Sequence, residues 1–197
     1  MKPIIKYYND VIHANTEEAK KLLFFNLLME LFKKNDEVKD VISKMSLGAE
    51  KIILNIPINE NSKKTGRVDT QYGKVIIEFK GDLTKTKEQA EQQLKEYLLG
   101  NWNSGNDYNY TLIATDGIRW IIYGIKPESI IGKTNITVKD VELKILEWII
   151  LDQTKSYEFF RFIDRSDFVI FLFYFWTLNG FIATSYCNNF PFGNFIF

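Results

Sequence analysis

GRVDTQYGKVIIEFKGD, residues 66–82, decides how this 197-residue chain is read. Val75, Ile76 and Ile77 form an unbroken apolar run, the pattern of a strand buried on both faces. The strand is expected over Lys74 to Lys80, and Arg67 to Gln71 reads as a shorter one, joined to it by a two-residue turn at Tyr72-Gly73. In that register Gln71 faces Lys74 and Asp69 faces Ile76. Side chains two apart in a strand share a face, so Asp69, Ile76, Glu78 and Lys80 fall on one side. Asp69 and Glu78 become diagonal neighbours, roughly 7 to 8 Å apart, a spacing that lets two carboxylates reach one cation.

Acid-x-Lys occurs four times, at Glu18/Lys20, Glu37/Lys39, Glu78/Lys80 and Glu142/Lys144. The other three fall where helices or charged stretches are expected, and there i and i+2 point apart. Only Glu78-Phe-Lys80 follows a buried strand, where unpaired charges are costly. Two acids and an amine on one point form a minimal kit for phosphodiester hydrolysis. Magnesium binds through one or two carboxylates plus phosphate and water, and an ammonium orients water or stabilises developing charge.

Outward from this stretch, Thr16 reads as an N-cap with Glu17 and Glu18 in the first turn. A buried helix is expected over Ala19 to Phe32, its apolar stripe being Leu22, Phe25, Leu28, Met29 and Phe32. Lys33 to Lys44 is a charged stretch, Lys51 to Ile58 a strand, and Asn59 to Gly66 a polar loop. A helix over Lys85 to Leu99, a loop over Asn101 to Asp107, and strands over Tyr110 to Thr115 and Ile118 to Ile125 follow. An amphipathic helix is expected over Val138 to Leu151. The alternation describes an α/β domain, a central mixed β-sheet flanked by helices.

Lys+Arg and Asp+Glu balance at 25 each, so phosphate affinity would have to be local or supplied by another domain or subunit. The single cysteine, Cys187, excludes a disulfide within the sequence. No secretory signal opens it, and a reducing, cytoplasmic setting is expected. One histidine, His13, leaves no Cys/His zinc cluster, and triad chemistry would have to run through a residue read as a loop histidine.

Residues 66–82 resemble the core of PD-(D/E)XK nucleases. They are most similar to the N-terminal nuclease domains of type IIG restriction-methylation proteins and type I restriction subunits. Asp69 matches the first acid of the motif, Glu78 and Lys80 its second half; Val68 stands where the motif has proline. The resemblance spans residues 15–165 and implies a nuclease-like domain over residues 1–165 with a restriction-endonuclease-like core and a catalytic set of Asp69, Glu78 and Lys80. It also implies Mg²⁺ (or Mn²⁺) as cofactor, double-stranded DNA as substrate, and a methyltransferase or specificity part outside this sequence. Gln93 and Tyr97 resemble the Gln-x-x-x-Tyr pair of RecB-like nucleases, with Gln89 extending the stripe. Glu17 is the acid such domains place in the metal shell, with a plain helix-dipole acid as the alternative. Arg67, Lys63 and Lys64 are candidates for backbone phosphate, or a solvated basic loop.

Residues 166–197 differ in kind. Phe168 to Ala183 is almost wholly apolar, and Asn188 to Phe197 is aromatic and Asn-rich. Three readings stand: a truncated or frame-shifted end, a segment buried against a partner, or a membrane anchor, for which the run is short of the about 20 apolar residues a span needs. The function implied is a metal-dependent restriction endonuclease module. The alternatives are an inactive nuclease-fold interaction or DNA-binding module, and a small membrane-anchored protein.

Overall fold

The computed structural model describes residues 2–47, 51–59 and 62–165; the apolar tail lies outside them. Helices α1 (Lys2–Val11), α2 (Glu17–Leu31) and α3 (Asp36–Leu47) come first, then strands β1 (Lys51–Asn59), β2 (Ser62–Val68), β3 (Thr70–Tyr72) and β4 (Val75–Phe79). Helix α4 (Leu83–Asn103) leads to β5 (Thr111–Thr115) and β6 (Arg119–Ile125); β7 (Leu143–Ile150) and α5 (Ser156–Arg165) follow. β1 and β2 form an antiparallel arm, and the other five form a mixed sheet in the order β3-β4-β5-β6-β7. Only β4 and β5 run parallel, because α4 carries the chain back between them.

β4 explains the layering. All five of its residues are buried. Val75, Ile77 and Phe79 pack into a core shared with α1, α2, α3 and α5, where Phe24 meets Trp120 at 4.5 Å between ring centroids. Ile76 joins a second core beneath α4 and β1, with Leu94, Tyr97 and Leu98. The expected mixed sheet between helices is therefore present.

Three expectations are corrected, and one stretch to which the sequence assigned no element gains one. Residues 138–151 do not form a helix: β7 occupies Leu143–Ile150 and pairs with β6 along Arg119↔Ile150 to Ile125↔Leu143. Val141, Ile145, Trp148 and Ile149 fit the helical period, but the open edge of β6 offers hydrogen bonds to a β-branched, aromatic segment. The Glu142/Lys144 pair thus also sits at a strand, but exposed, with Glu142 tied to Lys126 at 2.6 Å. The charged stretch after α2 is helical (α3), burying Val38, Ile42 and Met45. The polar loop is mostly β2, paired back on β1. Finally, Leu22 and Met29 of α2 are exposed, and its buried face is Lys20, Lys21, Phe24, Phe25, Leu27 and Leu28.

The second core leaves no room at Gly100, where an added Cβ would lie 2.3 Å from Ile53 Cγ2 and 2.7 Å from the Leu54 carbonyl oxygen. Gly100→Ala is expected to lower the unfolding free energy by about 1–3 kcal/mol, seen as a lower urea midpoint at constant slope. An unchanged midpoint would mean that the arm is not seated on α4.

Candidate active site

The β3–β4 hairpin pairs Tyr72 with Val75, Gln71 with Ile76 and Thr70 with Ile77. Its turn is Gly73-Lys74, with Gly73 at φ 54°, one step along from the Tyr72-Gly73 turn expected. Displacing the turn by one residue moves each partner by two, so the faces keep their parity and the expected pairing partner changes. Asp69, just ahead of β3, therefore stands beside the end of β4, and its Oδ2 accepts from the Phe79 backbone N–H at 2.7 Å.

Glu78 is 3% exposed and Lys80 5%. Lys80 Nζ donates to Glu78 Oε1 at 2.6 Å, and the Lys80 backbone N–H extends the ladder to the Thr115 carbonyl at 2.8 Å. The other carboxylate oxygen, Glu78 Oε2, is buried with no hydrogen-bond partner. Burial pushes the Glu78 carboxyl up to about 7, and the neighbouring Asp69 and Glu17 charges add to the rise against the opposing pull of Lys80. Asp69 is raised too, first by burial and further by Glu17, while the Phe79 N–H, Lys21 and Lys80 hold it down. Lys80 and Glu78 are thus in direct contact, and Asp69, tied to the Phe79 N–H between them, stands close enough for their charges to act on it.

α2 supplies the neighbouring wall. The Thr16 hydroxyl caps it by accepting from Ala19 N–H at 3.1 Å, as expected of an N-cap threonine. Glu17 Oε1 accepts from the Gly81 N–H at 3.0 Å, so one oxygen of this candidate metal ligand is already engaged. Lys20 Nζ donates to the Gly81 carbonyl at 2.5 Å, and Lys21, 5% exposed, pairs with Glu18 at 2.5 Å. Sequence reasoning missed both lysines as site residues. The signal was present: they stand one turn ahead of Phe24 and Phe25, on the apolar face.

α4 closes the other side. Tyr97 is buried; its hydroxyl donates to the Arg67 carbonyl at 2.7 Å and accepts from Gln93 Nε2 at 3.4 Å. Burial first, then the Glu78 charge, raises the Tyr97 pKa. Gln93 Oε1, like Glu78 Oε2, is buried without a hydrogen-bond partner among the described residues. Gln89 is exposed, and Arg67 reaches the site through its backbone carbonyl. Lys64 pairs with Glu96 at 2.9 Å, while Lys63 lines a separate cleft of about 310 Å³ with Trp102 and Lys133. His13 is exposed in the turn after α1.

Among the described residues no group of three or more His, Cys, Asp or Glu side chains could hold a metal ion. Magnesium needs fewer protein ligands, one or two carboxylates with waters and phosphate completing the shell. Asp69 and Glu78, with Oε2 unsatisfied, fit that smaller demand. No described helix is long and apolar enough to cross a membrane. The chain matches no family model, no curated protein and no solved structure with which it was compared.

The raised Glu78 carboxyl makes stability pH-dependent. Its unfolded value lies near 4.5 and its folded value near 7, so the contribution is full below 4.5 and lost as pH rises to 7. In EDTA, the wild type is expected to lose about 1–3 kcal/mol more than Glu78→Gln across that window in urea titrations. Equal slopes would contradict the burial argument.

Proposed function

We propose that the chain is a magnesium-dependent DNA endonuclease module of the PD-(D/E)XK type, acting within a restriction-modification system. The carrying observation is Glu78 Oε2, buried and unpartnered beside Asp69, with Lys80 hydrogen-bonded to the other oxygen of the same carboxylate. Asp69 and Glu78 would hold the cation. Bound Mg²⁺ (or Mn²⁺) supplies Lewis acidity and lowers the pKa of a coordinated water.

The protein groups do the rest. Lys80 donates from Nζ to the attacking water or to the phosphate oxygens as charge builds. Gln93 Oε1 offers an acceptor for that water, and Tyr97, held by Arg67 and Gln93, fixes the α4 side. The buried walls exclude bulk water and strengthen each of these interactions. Equal numbers of acidic and basic residues fit a module whose DNA grip and sequence choice come from a methyltransferase or specificity partner.

A second reading, a non-catalytic interaction module, is favoured by one feature. The edge strand β7 exposes Ile145, Leu146 and Trp148, an apolar surface suited to a partner.

Supercoiled plasmid with Mg²⁺ or Mn²⁺ decides between them. The wild type is expected to nick or linearise it, and folded Asp69→Asn and Lys80→Met to be slower by about 100-fold or more. Equal cleavage by all three, or none by a folded wild type with either metal, would reject nuclease activity for this chain.

A further inference from the structure

We propose that the first turn of α2 is a clamp that positions Lys80, with Glu17 and Lys20 as its two positioning residues rather than Glu17 as a metal ligand. The proposal rests on the nuclease reading for its activity readout only.

Gly81 directly follows Lys80 and has nothing to pack it. It is exposed, and a Cβ built there would meet nothing within 4 Å. Glycine has the widest backbone freedom of any residue, so an unrestrained Gly81 would let the Lys80 backbone swing. Both of its polar backbone groups are nevertheless held by one helix: Glu17 Oε1 takes the N–H at 3.0 Å, and Lys20 Nζ reaches the carbonyl at 2.5 Å. Glu17 and Lys20 are three apart and share a helix face. Lys20 is 7% exposed, and a lysine is buried this far only when its ammonium is paired or hydrogen-bonded.

The flanking ties have other sources. Lys80 N–H is held by the Thr115 carbonyl at 2.8 Å, and Leu83 N–H by Asp116 Oδ2 at 3.0 Å. The segment from 80 to 83 is thus fixed at four points, and α2 supplies the two on Gly81, the residue next to the lysine. A displacement of about 1 Å in a catalytic group costs on the order of 100-fold in rate, so this restraint has a function to serve.

The conservative variants separate clamp from ligand. Glu17→Gln keeps a carbonyl oxygen for the Gly81 N–H but loses the charge a cation would need. It is expected to keep kcat within about threefold and to keep Mn²⁺ affinity by calorimetry, whereas Glu17→Ala loses about tenfold in kcat at unchanged KM. Lys20→Met loses a similar amount, Lys20→Arg recovers it, and Gly81→Ala added to Lys20→Met recovers part by narrowing the backbone. A tenfold or greater loss of Mn²⁺ affinity in Glu17→Gln would make Glu17 a ligand, and wild-type kcat in Lys20→Met would remove the clamp. Should a folded wild type not cleave DNA, the nuclease reading fails while the clamp is read from amide exchange at Gly81. Faster exchange in Glu17→Ala but not in Glu17→Gln supports it; the same exchange in both overturns it.

Discussion

A carboxylate taken out of water beside a second carboxylate is the constraint around which the site is built. Glu78 is buried at the end of β4 with Asp69 close enough to raise its pKa, and Lys80 answers only one of its two oxygens. An isolated buried charge is destabilising unless paired, hydrogen-bonded or neutralised. Everything near Glu78 reads as a partial answer to that demand. Lys80 contributes an ammonium, the Phe79 N–H satisfies Asp69, and Lys21 lowers the local negative potential. The remaining oxygen has no protein partner, which is the state a cation or an ordered water would complete.

The fold serves this by bringing chain ends together. β4 and β5 run parallel, and the site lies where β4 gives way to the segment leading into α4. Helix α2 presents its first turn there, with Thr16 capping it and Glu17 and Lys20 engaging Gly81. The arm of β1 and β2 is seated on the second half of α4, and its last residues deliver Asp69. Two cores on opposite faces of the sheet hold these elements, so the polar groups at the strand end rest on rigid packing.

Much of this was legible in the residues themselves. The unbroken run Val75-Ile76-Ile77 identified the central strand, and strand parity placed Asp69 with Glu78 and Lys80 even though the turn sat one residue away from its expected place. Parity survives such a shift because each partner moves by two. Thr16 was readable because capping is a local interaction. The segment over Leu143–Ile150 was not, since its apolar spacing fits both periods and only the free edge of β6, a tertiary fact, selects a strand. The Asn59 to Gly66 stretch is polar because the arm faces solvent, so its pairing with β1 left no hydrophobic trace. Lys20 and Lys21 were hidden for another reason: a lysine on an apolar face reads as an interruption until its hydrogen-bond partner is seen.

The central claim is that Asp69 and Glu78 share one divalent cation. Crystals grown with Mn²⁺ and measured at a wavelength where manganese scatters anomalously test it directly. The account predicts a peak within roughly 2 to 2.5 Å of an oxygen from each carboxylate, one of them Glu78 Oε2. A peak elsewhere, or Glu78 Oε2 satisfied by water or a rearranged side chain at saturating Mn²⁺, would contradict it.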